Sequence, residues 1–255
     1  MQSRVTGTTL PVLEIGLEPN DVVVSTPGEL SWMTPGVQLR TTTNTGGARS
    51  FWGAITRAVS GGGLFMTEFS SPGGLGAVAF AAKVPGQIIE VQVQPGRGYL
   101  AHRHGFLCGT PGVEVTAALQ RSLGSGIFGR EGFILQRVSG TATAWIELGG
   151  EIVSHELAAG ESLLVHPGHV GLFEESVAVD ITTIRGISNA LFGGDGLFLV
   201  KLTGPGRIWL QTLTMPNLAH ALSPYLGAQR EVPPTQAVEA GTAGAILRDI
   251  FGNQR

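Results

Sequence analysis

Lysine is nearly missing from this 255-residue chain, which has Lys83 and Lys201 and fourteen scattered arginines. They form no basic stripe able to neutralise several phosphates at once, so nucleic-acid binding is not expected. Cysteine is scarcer still. Cys108 stands alone, which excludes an intramolecular disulfide and suits a reducing compartment, the cytoplasm by default. Charge of both signs is low, at 14% of residues against about 25% in an ordinary domain, with a net charge of −3 and 42% apolar residues. A surface with so little charge points to self-association, and a homo-oligomer is expected. Long hydrophobic runs are also lacking. GAVAFAAKVPG and ESLLVHPGHVGLF are interrupted by Lys83, Pro85, His166 and Pro167, well short of the ~20 residues of a membrane-spanning helix. The opening MQSRVTGTTLPVLEIGLEPND has no long apolar segment and one arginine, so neither a secretory leader nor a transit peptide is expected.

Glycine, in contrast, occurs 39 times. It separates short runs rich in Val, Ile, Leu, Phe and Thr, as in GQIIEVQVQPG, TATAWIELGG and GRIWLQTL. Period-two alternation within each run and turn residues between them predict an all-β chain. A few short helices are predicted at FWGAITRAV (51–59), after Pro216 to Leu226, and at AGAILRDIF, where Ile246, Leu247, Ile250 and Phe251 share one face.

The chain also resembles itself. LEPNDVVVSTPGELSWM (17–33) lies on LAAGESLLVHPGHVGLF (157–173) without a gap, and VQPGRGYLAHRHGFLCG from Val93 forms a third, weaker copy that aligns Thr26, His102 and His166. Three pseudo-repeats follow, roughly 15–80, 81–150 and 151–215. They lie within one β domain spanning 1–228, followed by a linker and short helix over 229–255. GGLFMTEFSSPGGLGAVAF, EGFILQRVSGTATAWIEL and DGLFLVKLTGPGRIWLQT each run from strand through glycine turn to strand, and each is predicted to be a hairpin. The glycines there are structural rather than phosphate-binding, because GPG is followed by no GK[ST] and opens no helix.

GGGLFMTEF, VPGQIIEVQV, HGFLCGTPGVEV, REGFILQRVSG, PGHVGLFEES and GDGLFLVKLTGPGRIWLQT, with their spacings, resemble the altered-inheritance-of-mitochondria family over about residues 15 to 225. The resemblance implies a double-stranded β-helix like the tryptophan RNA-binding attenuator protein, a sandwich-like barrel with its repeats about a pseudo-threefold axis, and assembly into a ring or trimer. It also implies a bacterial protein without assigned activity, or a link to inner-membrane organisation through a protein or membrane-associated partner. It supplies no catalytic residues, and fold alone does not assign function.

The sharpest chemical motif is GRGYLAHRH. Gly96, His102 and His104 copy the start of a cupin metal motif, and histidines two apart on a strand face one way. The glutamate that should follow is replaced by Cys108 and Gly109, and Glu114 is too far along. If the repeats converge, His166 or His169 would join His102 and His104 around a divalent transition metal, giving a cupin-like metalloprotein. The preferred reading assigns no metal and no cofactor. It places His102 and His104 on a solvated or inter-subunit face and lets His166 and His169 shape the turn at Pro167-Gly168. Cys108, in an apolar setting, is read as a small hydrophobe. Glu174 and Glu175 are read as solvated charge, and the tryptophans as core or interface residues. No nucleophile elbow or zincin motif is present. The expected function is a non-enzymatic oligomeric scaffold, preferably a trimer. The alternatives are the metalloprotein and a small-ligand-binding ring.

Overall fold

The computed structural model describes residues 1–43, 65–121, 133–184 and 197–225. The helices expected at 51–59 and 246–251, and the linker between 229 and 245, lie outside the described residues. Among the described residues, β1 (Gln2–Thr6) is followed by three runs of six strands. The first comprises β2 (Val12–Leu17), β3 (Val22–Ser25), β4 (Trp32–Met33), β5 (Gln38–Thr43), β6 (Phe65–Ser70) and β7 (Gly76–Ala81). The second comprises β8 (Gly86–Val93), β9 (Tyr99–His102), β10 (Phe106–Gly109), β11 (Val113–Arg121), β12 (Phe133–Gly140) and β13 (Ala142–Gly149). The third comprises β14 (Ile152–Leu157), β15 (Ser162–Val165), β16 (Val170–Glu174), β17 (Ala178–Ile184), β18 (Leu197–Thr203) and β19 (Gly206–Gln211). A 3-10 turn, Pro167–His169, separates β15 from β16, and α1 (Met215–Leu222) follows β19. The all-β class is as the sequence predicts, and the helix expected after Pro216 to Leu226 forms over Met215–Leu222. Among the described residues no helix is long and apolar enough to cross a membrane.

Among the described residues all the strand pairs are antiparallel, and one pairing order recurs. The first strand of each run lies on the last, as β2 on β7, β8 on β13 and β14 on β19. The register recurs with it: Leu17 faces Gly76, Val93 faces Ala142 and Leu157 faces Gly206. The second strand lies on the fifth and the third on the last. Two contacts join successive runs, β3 with β10 and β9 with β16, giving two six-stranded sheets beside one of four strands and one of three.

The three predicted hairpins are not formed. β6 and β7, β12 and β13, and β18 and β19 are consecutive along the chain but belong to different sheets. The intervening glycines turn a corner, as in packings where strands switch sheets through bends. Gly140 shows why glycine is needed: its φ is +106°, and a Cβ there would sit 2.0 Å from the Gly112 carbonyl oxygen.

Alternation builds the core. In β2, Leu13, Ile15 and Leu17 point inward while Glu14 and Gly16 point out. Burying each of the three contributes about 1.5–3 kcal/mol. They pack with Phe69, Phe80, Leu107, Cys108 and Trp145 in one cluster, and Phe69 meets Phe80 edge-on with ring centroids 5.7 Å apart. A second cluster gathers Val91, Ala101, Phe106, Ile146, Leu148 and Leu172, and a third Leu135, Phe173, Val200, Leu202 and Ile208. Met1–Pro216 is one compact unit; of the second, Asn217–Arg255, the described part carries most of α1.

Candidate ligand-binding site

His102 ends β9, held by pairing with Leu135 of β12. The chain then turns, with the Gly105 N–H donating to the His102 carbonyl at 2.9 Å. The expectation that His102 and His104 share one strand face is therefore corrected. His104 lies in the turn and is exposed, whereas His102 is half-buried. The turn opens onto β13, where the Gly105 carbonyl accepts the Glu147 N–H at 2.7 Å.

The His102 ring faces the same stretch of β13. Its Nε2 lies 2.9 Å from the Glu147 carbonyl oxygen, and since a carbonyl only accepts, that nitrogen carries the proton and Nδ1 is left as an acceptor. Burial dominates the ring's ionisation and lowers its pKa to about 4. The carbonyl opposes that shift, while His104 and Lys83 add to it.

Glu147 is the most unusual side chain nearby. It sits between Ile146 and Leu148 and is 4% exposed. Oε1 accepts the backbone N–H groups of Lys83 and Val84 at 2.7 and 3.3 Å. Oε2 is buried without a hydrogen-bond partner. Burial raises the carboxyl pKa, against the pull of the Lys83 N–H and ammonium. The Lys83 Nζ sits between the Glu29 oxygens, 2.7 and 2.6 Å from them.

These groups line an open cavity of about 420 Å³. Glu29, Lys83, His102, His104, Glu147 and Gln211 are its polar lining, and Val84, Leu213 and Met215 its apolar side. Gln211 occupies, in the third run, the place Glu147 has in the second: each follows a tryptophan by two, and each offers its carbonyl to a histidine, His169 Nδ1 reaching Gln211 at 2.8 Å. Both ends of its side chain are used. Oε1 accepts the Gly149 N–H at 3.0 Å and Nε2 donates to the Gly168 carbonyl at 2.9 Å.

The other predicted residues lie elsewhere. His166 is half-buried in the 3-10 turn region, edge-on to His169 with centroids 5.7 Å apart, and its pKa is lowered by burial and by His169. It does not line the cavity of His102 and His104. Among the described residues no group of three or more His, Cys, Asp or Glu is placed to hold a metal ion. Cys108 is fully buried between Ser25 and Trp145 of the neighbouring strands, and burial pushes its thiol well up. Glu174 and Glu175 are engaged rather than merely solvated: Glu174 accepts the Arg207 N–H and Glu175 pairs with Arg137. Sequence reasoning missed Glu147, Lys83, Glu29 and Gln211. The available signal was an acid inside the apolar run AWIEL.

The profile of the family described as Mitochondrial biogenesis AIM24 matches residues 3–213. An uncharacterised protein of Streptococcus pyogenes serotype M6 is 27% identical over 220 residues, 85% of this chain and 87% of that protein. The X-ray crystal structure of a Streptococcus pyogenes protein superposes with a TM-score of 0.69 at 25% identity, covering 88% of this chain and 99% of the other.

Proposed function

The chain belongs to the Mitochondrial biogenesis AIM24 family, and from that premise we propose that it is a non-enzymatic scaffold acting as a cytoplasmic homo-oligomer, a trimer in its simplest form. In this reading the three runs are diverged copies of one unit in a double-stranded β-helix like that of the tryptophan RNA-binding attenuator protein. The recurring pairing order supports it. The same order supplies the observation that carries the oligomer: a third junction, matching β3 with β10 and β9 with β16, would join β15 to β4, and that pair is not made among the described strands. Both strands end their sheets, and they present Leu164 and Trp32, each 51% exposed. Apolar sheet edges of this kind are ordinarily covered.

The reactive side chains fit a binding role. The Cys108 thiol is core, and the His102 proton is committed to a backbone carbonyl. The transition-metal alternative, in which His166 or His169 would complete a site begun by His102 and His104, draws no support from this cavity, whose lining includes His102 and His104 alone of the four.

Sedimentation velocity tests the scaffold. A chain of 26.5 kDa is expected to run as a trimer, and a Trp32→Glu, Leu164→Glu variant as a folded monomer. A wild-type protein that stays monomeric at tens of micromolar sinks the proposal.

A further inference from the structure

The two junctions between successive runs share one register. Where β3 meets β10, Ser25 faces Cys108 and Val24 faces Gly109; where β9 meets β16, Ala101 faces Leu172 and Leu100 faces Phe173. These are matching places of the repeat, since the self-alignment that sets Leu17 on Val93 and Leu157 also sets Ser25 on Ala101 and Cys108 on Leu172. It sets Val165 and Trp32 on the same two places, and Leu164 and Met33 on the pair beside them.

Each junction lays a row of three side chains across its sheet, from the second strand of one run through the third to the last strand of the next. One row is Ser25, Cys108 and Trp145, and the other is Ala101, Leu172 and Trp209. Each holds one tryptophan, on the last strand, beside two smaller residues. In the first run the last strand carries Ala79 at this place, and the tryptophan, Trp32, lies opposite it on β4. The bulky side chain has moved one strand along, and Val165 is the member that completes the row. Burial separates the made junctions from the unmade one. Ser25, Cys108, Ala101 and Leu172 are fully buried, whereas Trp32, Met33 and Leu164 are exposed. Among the described strands β4 and β15 each end a sheet.

We propose that β4 of one copy adds to the β15 edge of a second copy of this chain, antiparallel, with Trp32 opposite Val165 and Met33 opposite Leu164. Two different edges meet, so the contact is head to tail, and each copy keeps an edge for a further copy until a ring closes. Trp32 is the anchor, a residue type enriched where interface energy concentrates. A slip of one residue would turn it to the other face of the sheet. The assignment rests on the oligomer of the scaffold reading and specifies its strands and their register.

The test uses the full chain. Met33→Cys and Leu164→Cys are made as separate single variants, produced together in one cell, and oxidised; the buried Cys108 thiol stays out of the reaction. A disulfide joining position 33 of one copy to position 164 of another is expected, seen as a dimer on a non-reducing gel and as a linked peptide by mass spectrometry. Directly opposite residues lie within disulfide reach and diagonal ones do not, so linkage is expected at least about tenfold faster than with Ser162→Cys in place of Leu164→Cys. Sedimentation velocity on the unoxidised samples distinguishes the ways of failing. An oligomer in which Ser162→Cys links as fast, or in which neither pair links, overturns this register and leaves the scaffold standing. A monomer overturns both. A Met33→Cys, Leu164→Cys double variant that forms its disulfide inside one copy, with no linked dimer from the single variants, overturns the proposal by closing the junction within the chain.

Discussion

His102 links the fold to pH. Its folded pKa is about 4 because burial disfavours the charged form, against about 6.5 in an unfolded chain. Between those values the unfolded state binds the extra proton. The histidine's contribution to stability is therefore complete above pH 6.5, falls as pH drops toward 4, and levels off below. At 1.36 kcal/mol per pH unit, the loss between pH 8 and 4.5 amounts to up to about 2.5 kcal/mol. His102→Gln removes the titration and leaves an amide N–H able to reach the Glu147 carbonyl. Urea unfolding of both proteins at pH 8, 6 and 4.5 isolates the effect, since all other groups are common to the pair. Glu147 is one of them, and it acts in the opposite direction: its raised pKa makes the folded state take up a proton first, adding stability as pH falls through that pKa. The wild type is expected to lose about 2 kcal/mol more than the variant on acidification. Parallel losses, within about 0.5 kcal/mol, would show that His102 is solvated in the folded protein and refute the argument.

Two further outcomes follow from the core. Cys108 is fully buried with its thiol pKa pushed well up, so Ellman's reagent is expected to label native protein orders of magnitude more slowly than protein in urea; full labelling of native protein within minutes would contradict the burial. Phe80 is fully buried, edge-on to Phe69 and paired through the backbone with Leu13, so Phe80→Ala is expected to cost about 3–5 kcal/mol in urea unfolding. A loss below 1 kcal/mol would mean the cluster repacks.

What the sequence determined by itself was local or additive. Alternation in VLEIGL and GQIIEVQV set strands and their inward faces, because side chains on a pleated strand change sides at every residue. The low lysine and cysteine content limited the possible chemistry as well, since a residue count holds however the chain folds. Partner choice was not local. The glycine-linked strand pairs read as hairpins, yet β12 and β13 enter different sheets, because pairing depends on strands far along the chain that compete for the same edge. The histidine pair failed for a related reason: the period-two argument assumed that the strand continued past His102, and the turn closed by Gly105 ends it there. Glu147 was visible as an acid among apolar neighbours, but its burial was settled only when backbone N–H groups from Lys83 and Val84, more than sixty residues earlier, converged on one of its oxygens and left the other unmatched. The Lys83–Glu29 pair and the cavity beside it likewise arise where separate runs of strands meet. Composition and periodicity act within a few residues, whereas burial and the electrostatics it controls depend on which distant segments close over a group.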